Sequence, residues 1–261
     1  MSEKHVEVKN EDGIAFLTFK GNQDLNLLNQ DLILEMASAL VTLGNNPDVR
    51  VVVIRGHGER AFSGGVDVHQ MKSLSPISAE KFIRSLHALM RKVMTLRQPV
   101  IASVLGPCLG GAMELVMACD LRVVADDALF GLPEIRVGIP SVIEASLLSK
   151  FVGLSKAREL ILTGEIIDAP EAEKLGLTNK VVSRKDLEME TRAMAARLIN
   201  LSPHILSVQK DIMDKWLNLS HEQGAEYSAK AFALCFATSH PKEAMEAFLE
   251  KREPQFENID E

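Results

Sequence analysis

The sequence has no CxxC pair, and its three cysteines, Cys108, Cys119 and Cys235, are odd in number and far apart. No disulfide framework is expected, and a reducing compartment fits. Long apolar runs are missing too. The longest uncharged stretch, Pro99 to Met113, contains Gly and Pro and ends at Glu114, so it is too short to span a bilayer. The opening residues, Met1-Ser2-Glu3-Lys4-His5, lack the apolar centre of a signal peptide. The expectation is a soluble, cytoplasmic protein with no membrane partner. Positive charge is scarce: 29 Lys and Arg stand against 36 Asp and Glu, a net charge of −7. That argues against a broad basic face for nucleic acid, and any phosphate-bearing ligand must be held by a local cluster of donors. HExxH, GxSxG, Walker A and GxGxxG are all absent, and the histidines form no tight cluster with Cys or Asp. No metal site is expected, nor the usual hydrolase, NTPase or dinucleotide chemistry. Internal repeats and low-complexity segments are also absent.

What remains is a globular composition. A chain of 261 residues with 46% hydrophobic residues can bury a sizeable core, as one large domain or one domain with an appendage. Residues 6–8 and 14–19 read as strands around a turn at Glu11-Asp12-Gly13. A helix is expected from Gln30 to Leu43, and the run Val49 to Arg55 carries a strong buried-strand signal. A glycine-rich loop, Gly56 to Gly65, follows. Ser78 is placed to cap a helix reaching Leu96; Pro99 to Val104 and Leu121 to Ala125 read as further buried strands. Strands alternating with helices predict a parallel α/β sheet with crossovers. After residue 141 helical patterns dominate, at 142–152, 155–163, 169–175, 186–200, 203–217, 220–237 and 241–251. Asp168 is an N-cap signal and Gly176 the matching stop. Ala225, Ala229, Phe232, Ala233 and Phe236 share one helix face; core within the same chain is the ordinary explanation, and packing on a neighbouring subunit the alternative. The acidic tail after Pro254 is expected to fray.

The chemistry concentrates in two glycine turns and two glutamates. Gly110-Gly111 opens an apolar helix, where free N–H groups and the helix dipole can hold an oxyanion; tight packing against a strand is the competing explanation. Ser63-Gly64-Gly65-Val66-Asp67 follows a buried strand and can bring a second N–H donor, with Asp67 capping the next turn. Glu114 lies just inside the first helix, and Glu134 follows Pro133. A carboxylate in apolar surroundings needs a partner, a raised pKa or a chemical role. Alone, Glu114 could serve the helix dipole and Glu134 could be a surface turn residue. Together with both glycine turns they suggest proton transfer beside an anion hole. Ser141-Val142-Ile143-Glu144 fits a capping box after Pro140, with a third active-site carboxylate as the alternative. His69 and Met71 are further candidates for a pocket wall, exposure being the ordinary outcome for His69. His240, before Pro241, is expected to cap a helix.

These residues resemble the crotonase superfamily, the enoyl-CoA hydratase/isomerase family, along nearly the whole chain. The resemblance is carried by Ala61-Phe62-Ser63-Gly64-Gly65-Val66-Asp67, Pro99-Val100-Ile101-Ala102, and Leu109-Gly110-Gly111-Ala112-Met113-Glu114-Leu115. It continues through Ala118-Cys119-Asp120-Leu121-Arg122, Phe130-Gly131-Leu132-Pro133-Glu134, Gly138-Ile139-Pro140 and Ala247-Phe248-Leu249-Glu250-Lys251-Arg252. It implies an α/β fold with a crotonase-like core of repeated ββα units over residues 1–200. A helical C-terminal region, 201–261, would mediate homotrimers or hexamers. It implies an acyl-CoA substrate, with coenzyme A entering as part of the substrate and no tightly bound cofactor. The thioester carbonyl would sit between the N–H groups of Val66 and Gly111. Ser63, Gly64, Gly65, Asp67, Gly110, Pro133 and Ile139 would surround the thioester. His69, Met71 and Glu144 would border the acyl group. Glu114 would activate water for the β-carbon and Glu134 would protonate the α-carbon. Double-bond isomerisation, other lyase or dehydratase chemistry, and a non-catalytic binding role are the alternatives within the same fold.

Two departures from the family pattern stand out. Where many hydratases carry Gly-Ala-Gly-Gly, this chain has Ser141-Val142-Ile143-Glu144. Near Asn26-Leu27-Leu28-Asn29, where the family usually carries a basic residue for the CoA phosphate, it has Asp24, with Lys20 further back. Another pantetheine thioester, such as that of an acyl carrier protein, is the alternative substrate.

Overall fold

A computed structural model describes residues 5–256. The end of the acidic tail, 257–261, and residues 1–4 lie outside it, and with them the expectation of fraying there. Nine strands occur among the described residues: β1 (Val6–Glu11), β2 (Ile14–Phe19), β3 (Val51–Gly56), β4 (Val100–Val104), β5 (Pro107–Leu109), β6 (Leu121–Ala125), β7 (Leu129–Gly131), β8 (Ile166–Asp168) and β9 (Lys180–Val182). The first two form a hairpin that turns at Asp12 and Gly13, both at positive φ (51° and 79°). Positive φ at both turn residues matches the right-handed twist of the strands. The main sheet has six strands in the order β1-β2-β3-β4-β6-β9, parallel except for β1–β2. A smaller sheet, β5-β7-β8, stands beside it.

The alternation of side chains along a strand divides the core in two. Leu17, Phe19, Val52, Ile54, Val100, Ala102, Val104 and Val124 join the larger cluster. Phe16, Val51, Val53, Ile101, Val123 and Ala125 face the other way, against Leu187 and Ala195. Burial on both faces is why Val51-Val52-Val53-Ile54 is unbroken apolar sequence.

The first helices are α1 (Gln30–Gly44), α2 (Val68–Met71), α3 (Pro76–Thr95) and α4 (Gly111–Ala118). Asn29 caps α1, its side chain accepting from Leu32 N–H at 2.8 Å. The cap of α3 is Ser75 and not Ser78. Ser78 is the third residue inside, and its hydroxyl returns to Ser75 N–H at 2.8 Å, closing a reciprocal box. After two short 3-10 turns, Pro133–Val137 and Ile143–Leu147, come α5 (Leu148–Val152), α6 (Leu154–Thr163), α7 (Ala169–Lys174), α8 (Leu187–Ile199), α9 (Pro203–Asn218), α10 (His221–Cys235) and α11 (His240–Glu250). Asp168 caps α7 by accepting from Glu171 N–H, and Gly176 follows it at φ +78°.

Three expectations for this half need correction. It is not purely helical: β8 and β9 lie within it, each three residues long and too short for a periodic signal. His240 does not cap α11, which begins at that residue; its buried ring sits with Nδ1 2.7 Å from the hydroxyl of Ser202, the cap of α9. The stripe on α10 is not core within the chain, because Phe232 and Phe236 remain 65% and 54% exposed.

Candidate active site

Residues 62–66 run beside residues 105–109. Phe62 N–H donates to Leu105 O at 2.7 Å, Ser63 N–H to Pro107 O at 3.0 Å, and Leu109 N–H returns to Ser63 O at 3.1 Å. The turn then closes on itself. Gly65, at φ +95°, approaches so near that a Cβ there would lie 2.7 Å from Leu109 O. The buried amide of Asn26 braces the preceding loop by donating to His57 O at 2.9 Å and Ala61 O at 3.0 Å. This pairing brings the two glycine turns together: a Cβ on Gly111 would lie 3.2 Å from Val66 Cγ2. The N–H groups of Val66 and Gly111 have no hydrogen-bond acceptor among the described residues. Both residues line one cavity of about 280 Å³.

Glu114 and Glu134 line the same cavity. Glu114 projects from the first turn of α4, a helix buried along its whole length. Gly110 precedes it at φ +56° and ψ −131°, and a Cβ there would lie 2.5 Å from Glu134 Oε1. Only glycine lets the second carboxylate settle over the start of this helix. Ser141 Oγ donates to Glu134 Oε2 at 2.7 Å and orients it from the other side. Glu114 is 3% exposed. Burial first, then the charges of Glu134 and Glu144, push its pKa up to about 9, while the N–H groups of Ala145 and Val142 pull against this.

Gly64, Gly65, Gly110, Pro133, Ile139 and Met71 also line the cavity. Ser63, Asp67, His69 and Glu144 do not. Ser63 is fully buried, its hydroxyl accepting from Gly65 N–H at 3.1 Å, so it shapes the turn. Asp67 caps α2 through His69 N–H at 2.9 Å, and the amide of Asn22, donating at 3.1 Å, is the main reason its carboxyl is held below the usual range. The side chain of His69 points to solvent, as a residue on the outer face of α2 does. The capping box at Ser141–Glu144 does not form: the serine serves Glu134, and Glu144 turns inward beside Glu114 to pair with His87 of α3. Sequence reasoning passed over the bond from Ser141 to Glu134, the pairing of His87 with Glu144, and the apolar wall of Phe82, Ile83 and Leu86. The i, i+4 spacing of Phe82 and Leu86 was the available signal for the wall. Nothing local marked His87.

The cavity thus presents two unpaired amides, two carboxylates and apolar walls, a set suited to moving protons on a polarised carbonyl compound. Residues 9–259 match the family model described as enoyl-CoA hydratase/isomerase. The chain is 34% identical to the crotonyl-CoA hydratase of Syntrophomonas wolfei, over 98% of this chain and 99% of that protein. It is also 34% identical to the short-chain-enoyl-CoA hydratase of Clostridium acetobutylicum, over 97% of each. The crystal structure of an enoyl-CoA hydratase from Bacillus anthracis superposes with a TM-score of 0.93 at 28% identity, covering 98% of this chain and all of that one. A crystal structure from Geobacillus kaustophilus gives 0.91 at 34% identity over 98% of both chains. With its family match, its relatives and its crotonase fold in agreement, this chain belongs to the enoyl-CoA hydratase/isomerase family.

Proposed function

We propose that the protein adds water to a 2-enoyl-CoA thioester and releases the 3-hydroxyacyl-CoA. The observation that carries this reading is the convergence of the Val66 and Gly111 amides with Glu114 and Glu134 on one cavity. The thioester oxygen accepts from the two N–H groups. Glu114, in its ionised form, takes a proton from water as the water oxygen bonds to the β-carbon. The electron pair of the double bond moves toward the thioester, and the enolate oxygen is held by the same two amides. Glu134 gives its proton to the α-carbon and the carbonyl reforms. One water has then been added across the double bond, and the proton gained by Glu114 replaces the one lost by Glu134. Loss of an oxyanion donor typically costs ~10²–10³ in rate, and general acid–base catalysis typically supplies ~10²–10⁴.

The retention of two carboxylates favours hydration over double-bond isomerisation, which needs only one base. The apolar wall of Phe82, Ile83 and Leu86 fits an acyl chain, and Gly64, Pro133 and Ile139 fit the thioester end. Coenzyme A is the pantetheine carrier we assign, because the relatives bear that name. A homotrimer, or a hexamer of two trimers, would cover the exposed apolar faces of α10 and α11. Three free cysteines, all buried, fit the cytoplasm.

The direct test follows crotonyl-CoA through the loss of its enoyl thioester absorbance. The wild-type protein is expected to hydrate it. Glu114→Gln and Glu134→Gln are each expected to lose ~10²-fold or more while keeping a native circular dichroism spectrum. Full activity in both variants would remove these roles.

A further inference from the structure

Glu144 is the carboxylate beside Glu114 that the proposed water addition leaves unused. Its side chain is 5% exposed. Oε1 lies 2.8 Å from His87 Nδ1, on the half-exposed ring of an α3 residue. Oε2 is buried and has no hydrogen-bond partner among the described residues. A buried carboxylate oxygen left unmatched is costly. The backbone carries strain at the same place. Ile143 lies at φ +46°, where a β-branched residue is an outlier. The chain is therefore held out of its ordinary conformation at the residue that turns Glu144 inward.

The 3-10 turn Ile143–Leu147 packs on α4, and the N–H groups of Val142 and Ala145 act on the Glu114 carboxyl. Glu144 therefore reports to two places, α3 through His87 and α4 through Glu114. We propose that Glu144 is a positioning residue for Glu114: its inward-turned carboxylate, anchored by His87 on a turn packed against α4, governs how readily Glu114 acts as a base. The inference rests on the hydratase reading above.

The charged surroundings support it. Glu114 is faced by Glu134 from the turn Pro133–Val137 and by Glu144 from the turn Ile143–Leu147. From α3, His87 and Arg91 both act on Glu144. Arg91 is already engaged by Asp214 of α9, at 2.8 and 3.3 Å. The packed strand β5 contributes only the thiol of Cys108. His87 anchors the Glu144 carboxylate at 2.8 Å. Ionised, Glu144 sets a negative charge beside a buried carboxyl, which favours keeping the proton on Glu114. Burial pushes the Glu144 carboxyl upward and His87 draws it back, and the Glu144 charge in turn raises Glu114.

The test is a 13C-carboxyl NMR titration of the free protein labelled at glutamate, with Glu114 assigned by its loss in Glu114→Gln, run beside the pH profile of kcat/KM. Glu144→Gln keeps the shape and removes the charge. Its Glu114 midpoint is expected to fall by about one pH unit, and the acid limb of kcat/KM with it. In the wild type, the Glu114 resonance is expected to show a second inflection where Glu144 ionises. Lower turnover in Glu144→Gln with an unmoved Glu114 midpoint would mean a merely structural role and overturn the proposal. A single inflection in the wild type would overturn it as well, and that titration decides alone if the variant does not fold. The NMR readout needs no turnover. A protein that leaves crotonyl-CoA unchanged would sink the hydratase reading while the coupling of the two glutamates was still measured.

Discussion

Glu114 illustrates how a single residue trades stability for chemistry. Its folded pKa of about 9 lies above the ordinary 4.5. The folded protein therefore binds that proton more tightly than the unfolded chain does. The folded state is favoured below the ordinary value, and stability is lost as pH rises through the window up to about 9. Glu114→Gln removes the titration. We expect it to melt higher than the wild type at pH 8, and the difference to disappear near pH 4. For a chain of this size a change of about 1 kcal/mol moves Tm by about 2–4 °C, so calorimetry at the two pH values can read it. An equal melting difference at both would contradict the assignment. Gly110 makes the complementary point. Alanine there needs a strained φ and puts Cβ on Glu134 Oε1. We expect Gly110→Ala to cost about 1–3 kcal/mol of stability and ~10²-fold or more in hydration, because the acid is displaced from its place. A variant that melts lower yet turns over normally would show that Glu134 does not need this seat.

Among the elements, α3 carries three duties along one helix. Phe82, Ile83 and Leu86 wall the cavity, His87 holds Glu144, and Arg91 ties the helix to α9 through Asp214. The residues fall on successive turns, so a shift of α3 would move pocket shape and carboxylate environment together. Phe82→Ala opens the wall without touching the glutamates. It should cost about 3–5 kcal/mol of stability and move the preferred 2-enoyl chain to greater length, read as kcat/KM across a series of acyl lengths. An unchanged length preference would mean that the acyl group lies elsewhere. The long helices and strands of the first half were readable from periodicity and capping residues, whereas α2, β5 and β7, only three or four residues each, were not. The two strands missed in the second half, β8 and β9, are three residues each and exist by virtue of their neighbours β7 and β6.

For the whole molecule, the open question of surface is the apolar face left by α10 and α11. Phe232 and Leu234 on α10, Phe236 just after it, and Met245, Phe248 and Leu249 on α11 are all more than half exposed. A patch of this kind on a folded chain marks an interaction surface. Light scattering is expected to give a mass that is a threefold or sixfold multiple of 28.7 kDa. The double variant Phe236→Asp and Phe248→Asp should reduce it toward one chain. A wild type that runs as a monomer would contradict the proposed trimer.

The sequence by itself determined the layout of the first half of the fold and the residues that carry the candidate chemistry. Buried parallel strands demand unbroken apolar runs such as Val51–Ile54, and close backbone approach demands glycine at Gly65 and Gly110. Both requirements fall on the residue type itself and so leave a mark on the chain. The setting of Glu144 was decided only by the tertiary structure. Its capping box was a sound local reading, but Ser141 was drawn to Glu134 and Glu144 to His87, which lies 57 positions away in the chain. The same holds for Ser63 and Asp67, which share a motif with Val66, and for His69 on α2 just beyond it, all of which stay out of the cavity. The direction of a side chain, and the charge it meets when buried, depend on which distant segment closes over it, and no spacing within the motif records that.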